Sequence, residues 1–235
     1  AASDVYKRQS SATLPTVEVD STTQTVNGVT SGGISYFRAA ATAASTPNYP
    51  YIEVVDGATQ SDYYRFVPLD PHTPSYDLGG NLSQDSRWDY TWDANNRLSK
   101  IETTTTAVSQ GIPHWRIEFK YDYQGRRIEK KKTVVTGPTT SYTHTYVYDG
   151  WNVVARLDGG TLDQSYVWGT DLSGSSQGAG GVGGLLMLYD NTSGSSADHL
   201  PSYDGNGNIV ALIDASDETV TAEYGYDPFC LLYTS

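Results

Sequence analysis

A short unit recurring along the chain limits most severely what it can fold into. Tyr76-Asp77-Leu78-Gly79-Gly80-Asn81-Leu82 is followed by Trp92-Asp93-Ala94-Asn95-Asn96-Arg97-Leu98 and Tyr121-Asp122-Tyr123-Gln124-Gly125-Arg126-Arg127-Ile128. Tyr148-Asp149-Gly150-Trp151-Asn152-Val153-Val154, Tyr203-Asp204-Gly205-Asn206-Gly207-Asn208-Ile209 and Tyr226-Asp227-Pro228-Phe229 complete the series. Each unit joins an aromatic and an Asp to turn residues, a Gly or Asn, a polar residue and an apolar one. The aromatic ends a strand with its ring on the packed side. The Asp carboxylate accepts backbone N–H groups further along, closing an Asx-type turn. Gly or Asn supplies the positive φ of a tight hairpin. The apolar residue then resumes strand alternation.

The segments between units agree. His114 to Tyr121, Thr143 to Tyr148 and Trp151 to Leu157 are rich in β-branched and aromatic residues. Helical periodicity is nowhere sustained over ten residues. The fold class expected is all-β, built of antiparallel hairpins that bury a core only jointly. Composition points the same way, with 19 Tyr and 23 Gly against 4 Phe and 1 Met. Such an interior packs ring bodies while hydroxyls seek partners. A net charge of −12 argues against nucleic acid as a partner. The one basic cluster, Arg126-Arg127 through Lys130-Lys131-Lys132, reads as a solvated strand end or as edge protection. No apolar run reaches the roughly 20 residues of a membrane helix.

Over residues 76–229 the chain resembles the Rhs/YD-repeat family, in particular its repeat-associated core region. Tyr148-Asp149-Gly150-Trp151-Asn152, Tyr166-Val167-Trp168-Gly169 with Asp171-Leu172-Ser173-Gly174, Gly178 to Gly184 and Tyr203 to Asn208 carry the likeness. The resemblance implies a section of a β-wrap, a hollow cocoon enclosing a C-terminal cargo that is often a toxin. It also implies secretion or display on a bacterial surface. The partners would be that cargo and the neighbouring repeats of a longer chain. The family's self-cleavage residues match nothing here, so the section would itself be no enzyme.

Both termini read as scars. Asp4-Val5-Tyr6-Lys7-Arg8-Gln9 and Cys230-Leu231-Leu232-Tyr233-Thr234-Ser235 can be encoded by opposite strands of one duplex, resembling a translated sequencing adapter. Residues 1–9 and 230–235 are therefore set apart, and Cys230, the one cysteine, with them. Residues 10–72 lack the repeat and read as a small β-module, with insertion in the wrap as one placement and more irregular shell as the alternative reading. Its strands are expected at Thr16 to Val19, Tyr36 to Arg38, Tyr51 to Val55 and Tyr63 to Val67, with Asn27-Gly28 as a hairpin turn. The boundary falls in the proline-rich stretch Pro68 to Pro74, and the repeat region runs over 73–229.

Three motifs imitate chemistry. Gly178-Ala179-Gly180-Gly181-Val182-Gly183 fits a dinucleotide fingerprint but leaves no room for the helix that would aim N–H groups at a pyrophosphate. Gly174-Ser175-Ser176-Gln177-Gly178 fits a nucleophile elbow, with Asp190 and His199 downstream in permitted order. Asp204 to Asn208 opens like a calcium loop, but Ile209 and Ala215 stand where Gly and Glu are needed. His72, His114, His144 and His199 show no ligand spacing. The reading assigns no catalytic residue, cofactor or metal. Tyr76, Asp77, Trp92, Asp93, Tyr121, Asp122, Gly125, Tyr148, Asp149, Gly150, Tyr203, Asp204, Gly205, Asn206, Tyr226 and Asp227 are assigned as structural turns. The function expected is a structural shell. Its alternatives are an extracellular carbohydrate-binding module using exposed Trp or Tyr and, last, a serine hydrolase.

Overall fold

The structure is a computed structural model describing residues 2–9, 14–31, 34–42, 50–56, 59–64, 66–67, 73–137, 140–192, 194, 196–226 and 232–234. Among the described residues, regular structure is antiparallel strand apart from one short helix. The chain divides into two units, Ala1–Ile117 with Thr133–Thr140, and Glu118–Lys132 with Ser141–Ser235.

The first unit opens with β1 (Ala2–Gln9), β2 (Thr16–Val19), β3 (Thr22–Thr23), β4 (Val26–Ser31), β5 (Ile34–Thr42), β6 (Tyr51–Asp56) and β7 (Thr59–Tyr64). They form two small sheets, ordered β1-β5-β4 and β3-β2-β6-β7. Val17, Phe37, Ala39, Ile52 and Val54 are buried between them as a hydrophobic cluster. Asn27-Gly28 is not a turn. It lies inside β4, where Asn27 faces Arg38 and Gly28 faces Phe37. Strand pairing overrides the local turn preference there, because β-propensity is set mainly by neighbours. The terminal segments set apart above also enter strands. β1 pairs with β5 along its length, and β21 (Leu232–Thr234) pairs with β20 (Val220–Tyr226).

The first unit continues through β8 (Ser75–Tyr76), β9 (Leu82–Gln84), β10 (Trp88–Trp92) and β11 (Leu98–Thr103), with β9, β10 and β11 each paired with the strand before it in sequence. Helix α1 (Thr105–Ser109) is one turn long, capped by the Thr104 hydroxyl, which accepts from the Ala107 N–H. Ala107 and Ile112 are buried beside it.

β12 (His114–Tyr121) and β13 (Arg127–Thr136) follow. The second unit then runs through β14 (Tyr142–Asp149), β15 (Asn152–Asp158), β16 (Thr161–Trp168), β17 (Leu185–Asp190), β18 (Ala197–Tyr203) and β19 (Ile209–Asp214) to β20 and β21. Strands β13 to β21 lie side by side in chain order. The basic cluster is not at an edge. β13 sits inside the sheet, with Lys130 opposite His144 and Lys132 opposite Tyr142.

One device recurs along the sheet. The pairing register shifts at Thr91/Trp92, Val147/Tyr148, Val167/Trp168 and Ser202/Tyr203, immediately before an aromatic that is the last or next-to-last residue of its strand. A bulge there re-aims the side chain. The re-aimed ring donates to a carbonyl at the start of the preceding strand. Trp92 Nε1 reaches the Leu82 oxygen at 2.8 Å, and Tyr148 Oη the Arg127 oxygen at 2.8 Å. Trp168 Nε1 reaches the Val153 oxygen at 2.7 Å and Tyr203 Oη the Leu185 oxygen at 2.6 Å; Tyr226 Oη, with no register shift beside it, makes the same kind of bond to the Ile209 oxygen at 2.9 Å. The ring body packs and its polar tip latches the hairpin closed.

Candidate functional site

The sequence-predicted turn residues fall at one end of their hairpins. In four of them the Asp does the same work. Asp93 Oδ1 accepts the N–H of Asn95 at 2.8 Å and of Arg97 at 3.0 Å, while Oδ2 accepts Arg97 Nε at 2.8 Å. Asp122 repeats this with Gln124, Arg126 and the Arg126 guanidinium. Asp204 repeats it with Asn206, Asn208 and the Asn208 amide, and Asp77 bonds both the backbone and the amide of Asn81. The Asn81 side chain, then its backbone N–H, holds the Asp77 carboxyl below its ordinary value; the Asn208 side chain and N–H do the same for Asp204. The residue four beyond the Asp thus carries half of the turn, a role that "polar residue" undersold.

The positive-φ position is the third after Asp, namely Gly80, Asn96, Gly125 and Gly207. Gly205, assigned as a turn glycine, does not take it; Gly207 does. Asp149 departs from the pattern. Its hairpin has only Gly150 and Trp151 at the tip, with Asp149 facing Asn152. Asp227 lies outside the described residues.

Neighbouring turns in the second unit are braced to one another. The Arg126 guanidinium donates to the Gly150 carbonyl. Gln177, from the glycine-rich segment, accepts the Trp151 N–H at 2.9 Å and donates to the Asp149 carbonyl at 2.8 Å. That segment is organised by Asp171, whose side chain accepts from the Ser173 N–H and hydroxyl and from the N–H groups of Ala179 and Gly181. The Ser173 hydroxyl, first among these donors, helps hold the Asp171 carboxyl down to about 2. Gly207 closes against the same segment, since a Cβ there would meet Leu172 and Val182 at 2.9 Å.

The chemical look-alikes separate accordingly. The dinucleotide-like glycines lead into strand β17, not a helix. Asp190 is engaged by Gln164 and Thr192, and His199 by Thr221, so neither is directed at Ser176. Asp204 spends its oxygens on its own turn. Among the described residues no group of three or more His, Cys, Asp or Glu is placed to hold a metal ion. His72 and Cys230 lie outside the described side chains.

Two charged clusters were missed by the sequence reading. In the first unit, Glu102 accepts from Arg116 Nη2 at 2.7 Å, His114 Nε2 at 3.0 Å and Lys100 Nζ at 3.3 Å. The Arg116 hydrogen bond, chief among these, lowers the Glu102 carboxyl to about 2. In the second unit, the Tyr142 and His144 rings stack at 4.2 Å, and Lys130 and Lys132 lie 5.6 and 6.0 Å from the Tyr142 ring centre. Burial, followed by the nearby Arg156 charge, keeps His144 below its ordinary value and so favours the neutral ring. The signal for both clusters was alternation, which puts residues i and i+2 of facing strands on one side. It becomes readable only once the register is known.

No family model matches the chain. Three curated proteins do, each over 164 residues, which is 69% of this chain. They are the tRNA3(Ser)-specific nuclease WapA of Bacillus spizizenii at 30% identity, the tRNA nuclease WapA of Bacillus subtilis strain 168 at 31%, and the tRNA(Glu)-specific nuclease WapA of Bacillus subtilis subsp. natto at 30%. The matched stretch spans 6% of the length of each. These names overturn the expected Rhs/YD-repeat membership, the structural-shell reading and the assignment as no enzyme. They leave the carbohydrate-binding alternative without support. The physical reason is that a turn unit specifies hairpins, and hairpin architecture does not determine chemistry.

Proposed function

We propose that the chain is a section of a large tRNA-directed nuclease. The observation that carries this reading is the 164-residue match, at 30–31% identity, to three proteins all named as tRNA nucleases. The names also divide the labour. Two of the relatives match this chain equally well yet are named for different tRNAs, one for tRNA3(Ser) and one for tRNA(Glu). We place the choice of tRNA in residues outside the matched section, and exchanging that section between proteins tests this. The test is to express the whole parent reading frame in a bacterial host and map new ends across the tRNA pool. Cleavage confined to a subset of tRNAs is expected. An intact pool, with the parent protein present and folded, rejects the reading.

A further inference from the structure

Three aromatic rings of the first unit gather around one guanidinium. The Arg87 carbon Cζ lies 4.8 Å from the centre of the Trp88 ring, 5.3 Å from that of Phe66 and 5.4 Å from that of Trp115. The rings come from separate places in the chain. Phe66 follows β7, Trp88 opens β10 and Trp115 lies in β12. A cation within about 6 Å of a ring centre is attracted to the ring face, and all three rings meet that distance. Trp88 and Trp115 are tilted by 32° with their centres 6.3 Å apart, so they stand as two adjoining walls. Those walls are held by atoms other than the Arg87 side chain. Asp85 Oδ1 accepts the Arg87 N–H at 2.7 Å and the Trp88 N–H at 2.6 Å, and Oδ2 accepts the Tyr90 hydroxyl at 2.7 Å. The Arg87 carbonyl accepts the Thr104 N–H at 2.9 Å. The Trp115 N–H donates at 3.0 Å to the hydroxyl of Thr103, which is buried, and Phe66 is followed by the buried Val67. Truncating Arg87 at Cβ removes none of these bonds.

We infer that Phe66, Trp88 and Trp115 form a guanidinium-binding cage that the chain fills from within with Arg87. The ligand class is a planar, weakly hydrated cation. Such a head stacks on an aromatic face and gives up less hydration than an ammonium does. A free guanidinium head enters only in exchange for Arg87, so the Arg87 contact is autoinhibitory. The inference is independent of the nuclease reading, and the failure of either leaves the other standing.

The experiment is chemical rescue on the full 235-residue chain, with ethylguanidinium chloride as the probe and N-ethylurea as a neutral probe of similar shape. Arg87→Ala should keep its β-sheet circular dichroism and melt below the original protein. Ethylguanidinium at about 1–10 mM, a range suited to a ligand of so few atoms, should restore part of that loss and change the tryptophan fluorescence. N-ethylurea, and sodium chloride at matched ionic strength, should do neither. The original protein should respond to neither probe over the same range. Adding Trp88→Leu to Arg87→Ala should abolish the response. A folded Arg87→Ala that ignores ethylguanidinium overturns the inference. So does an equal response to N-ethylurea, rescue that survives Trp88→Leu, or binding by the original protein. Should Arg87→Ala lose its fold, Arg87→Lys keeps a cation on the rings and should melt above Arg87→Gln; equal melting of those two overturns the inference as well.

Discussion

Glu102 gathers three side chains of the first unit, Arg116, His114 and Lys100, around one carboxylate. Its folded pKa of about 2 stands below the ordinary 4.5, with the Arg116 hydrogen bond as the leading cause. A depressed carboxylate stabilises the fold fully above its unfolded value, and that contribution is lost as pH falls toward the folded value. The window is therefore about pH 4.5 down to about 2. Lys100 and Arg116 keep 37% and 42% of their side chains exposed, so solvent screens much of the attraction. Glu102→Gln should cost about 1 kcal/mol near neutral pH. The gap between the two proteins' urea midpoints should narrow between pH 5 and pH 2. A gap that stays constant across that range would show that the charge of Glu102 is not what stabilises the cluster.

Hairpins are the next scale, and the bulge-aimed ring is their recurring lock. Tyr203→Phe keeps the ring and removes only the 2.6 Å donation to the Leu185 carbonyl. Loss of one such bond costs about 1 kcal/mol. Amide exchange at the β17–β18 pairing should quicken accordingly, by about fivefold, while exchange at the first unit's β2–β6 pairing stays unchanged. Equal exchange at both sites would mean the hydroxyl contributes nothing to the hairpin. Much at this scale was legible beforehand. Aromatic-Asp marked strand ends, and the strands expected at Thr16 to Val19, Tyr51 to Val55 and His114 to Tyr121 are present, whereas the one expected at Tyr63 to Val67 lies earlier, at Thr59–Tyr64. What was not legible depended on partners remote in sequence. The brace of Gln177 on Asp149 and Trp151 spans 28 and 26 residues and follows no spacing rule. Asn27-Gly28 failed for the same reason, since the chemistry of a dipeptide was outweighed by the strand lying beside it. The second role of Arg97, Arg126, Asn81 and Asn208 was available in the spacing, four residues beyond Asp, but needed atomic geometry to interpret.

At the scale of the whole molecule, the matched stretch is 6% of the length of relatives whose names carry an activity that its turns do not reveal. Sequence reasoning recovered the all-β, antiparallel fold class, and its functional readings were overturned because the repeated unit reports only how the chain reverses direction. If the matched section does not choose the tRNA, exchanging it should be silent for specificity. Replacing the matched stretch of the Bacillus spizizenii relative with its 164-residue counterpart from this chain should leave the same tRNA cleaved, checked by mapping tRNA ends. A switch of target would place specificity inside the section. The order of pairing has a mechanical consequence as well. From β13 to β21 each strand bonds to its neighbours in sequence, and the turn braces likewise link successive hairpins. Tension on the C-terminal end therefore loads one hairpin at a time, like a zipper pulled from its open end. Such a sheet resists force in small equal steps, peels without disturbing the strands still seated, and can re-form in the same order when the load is released.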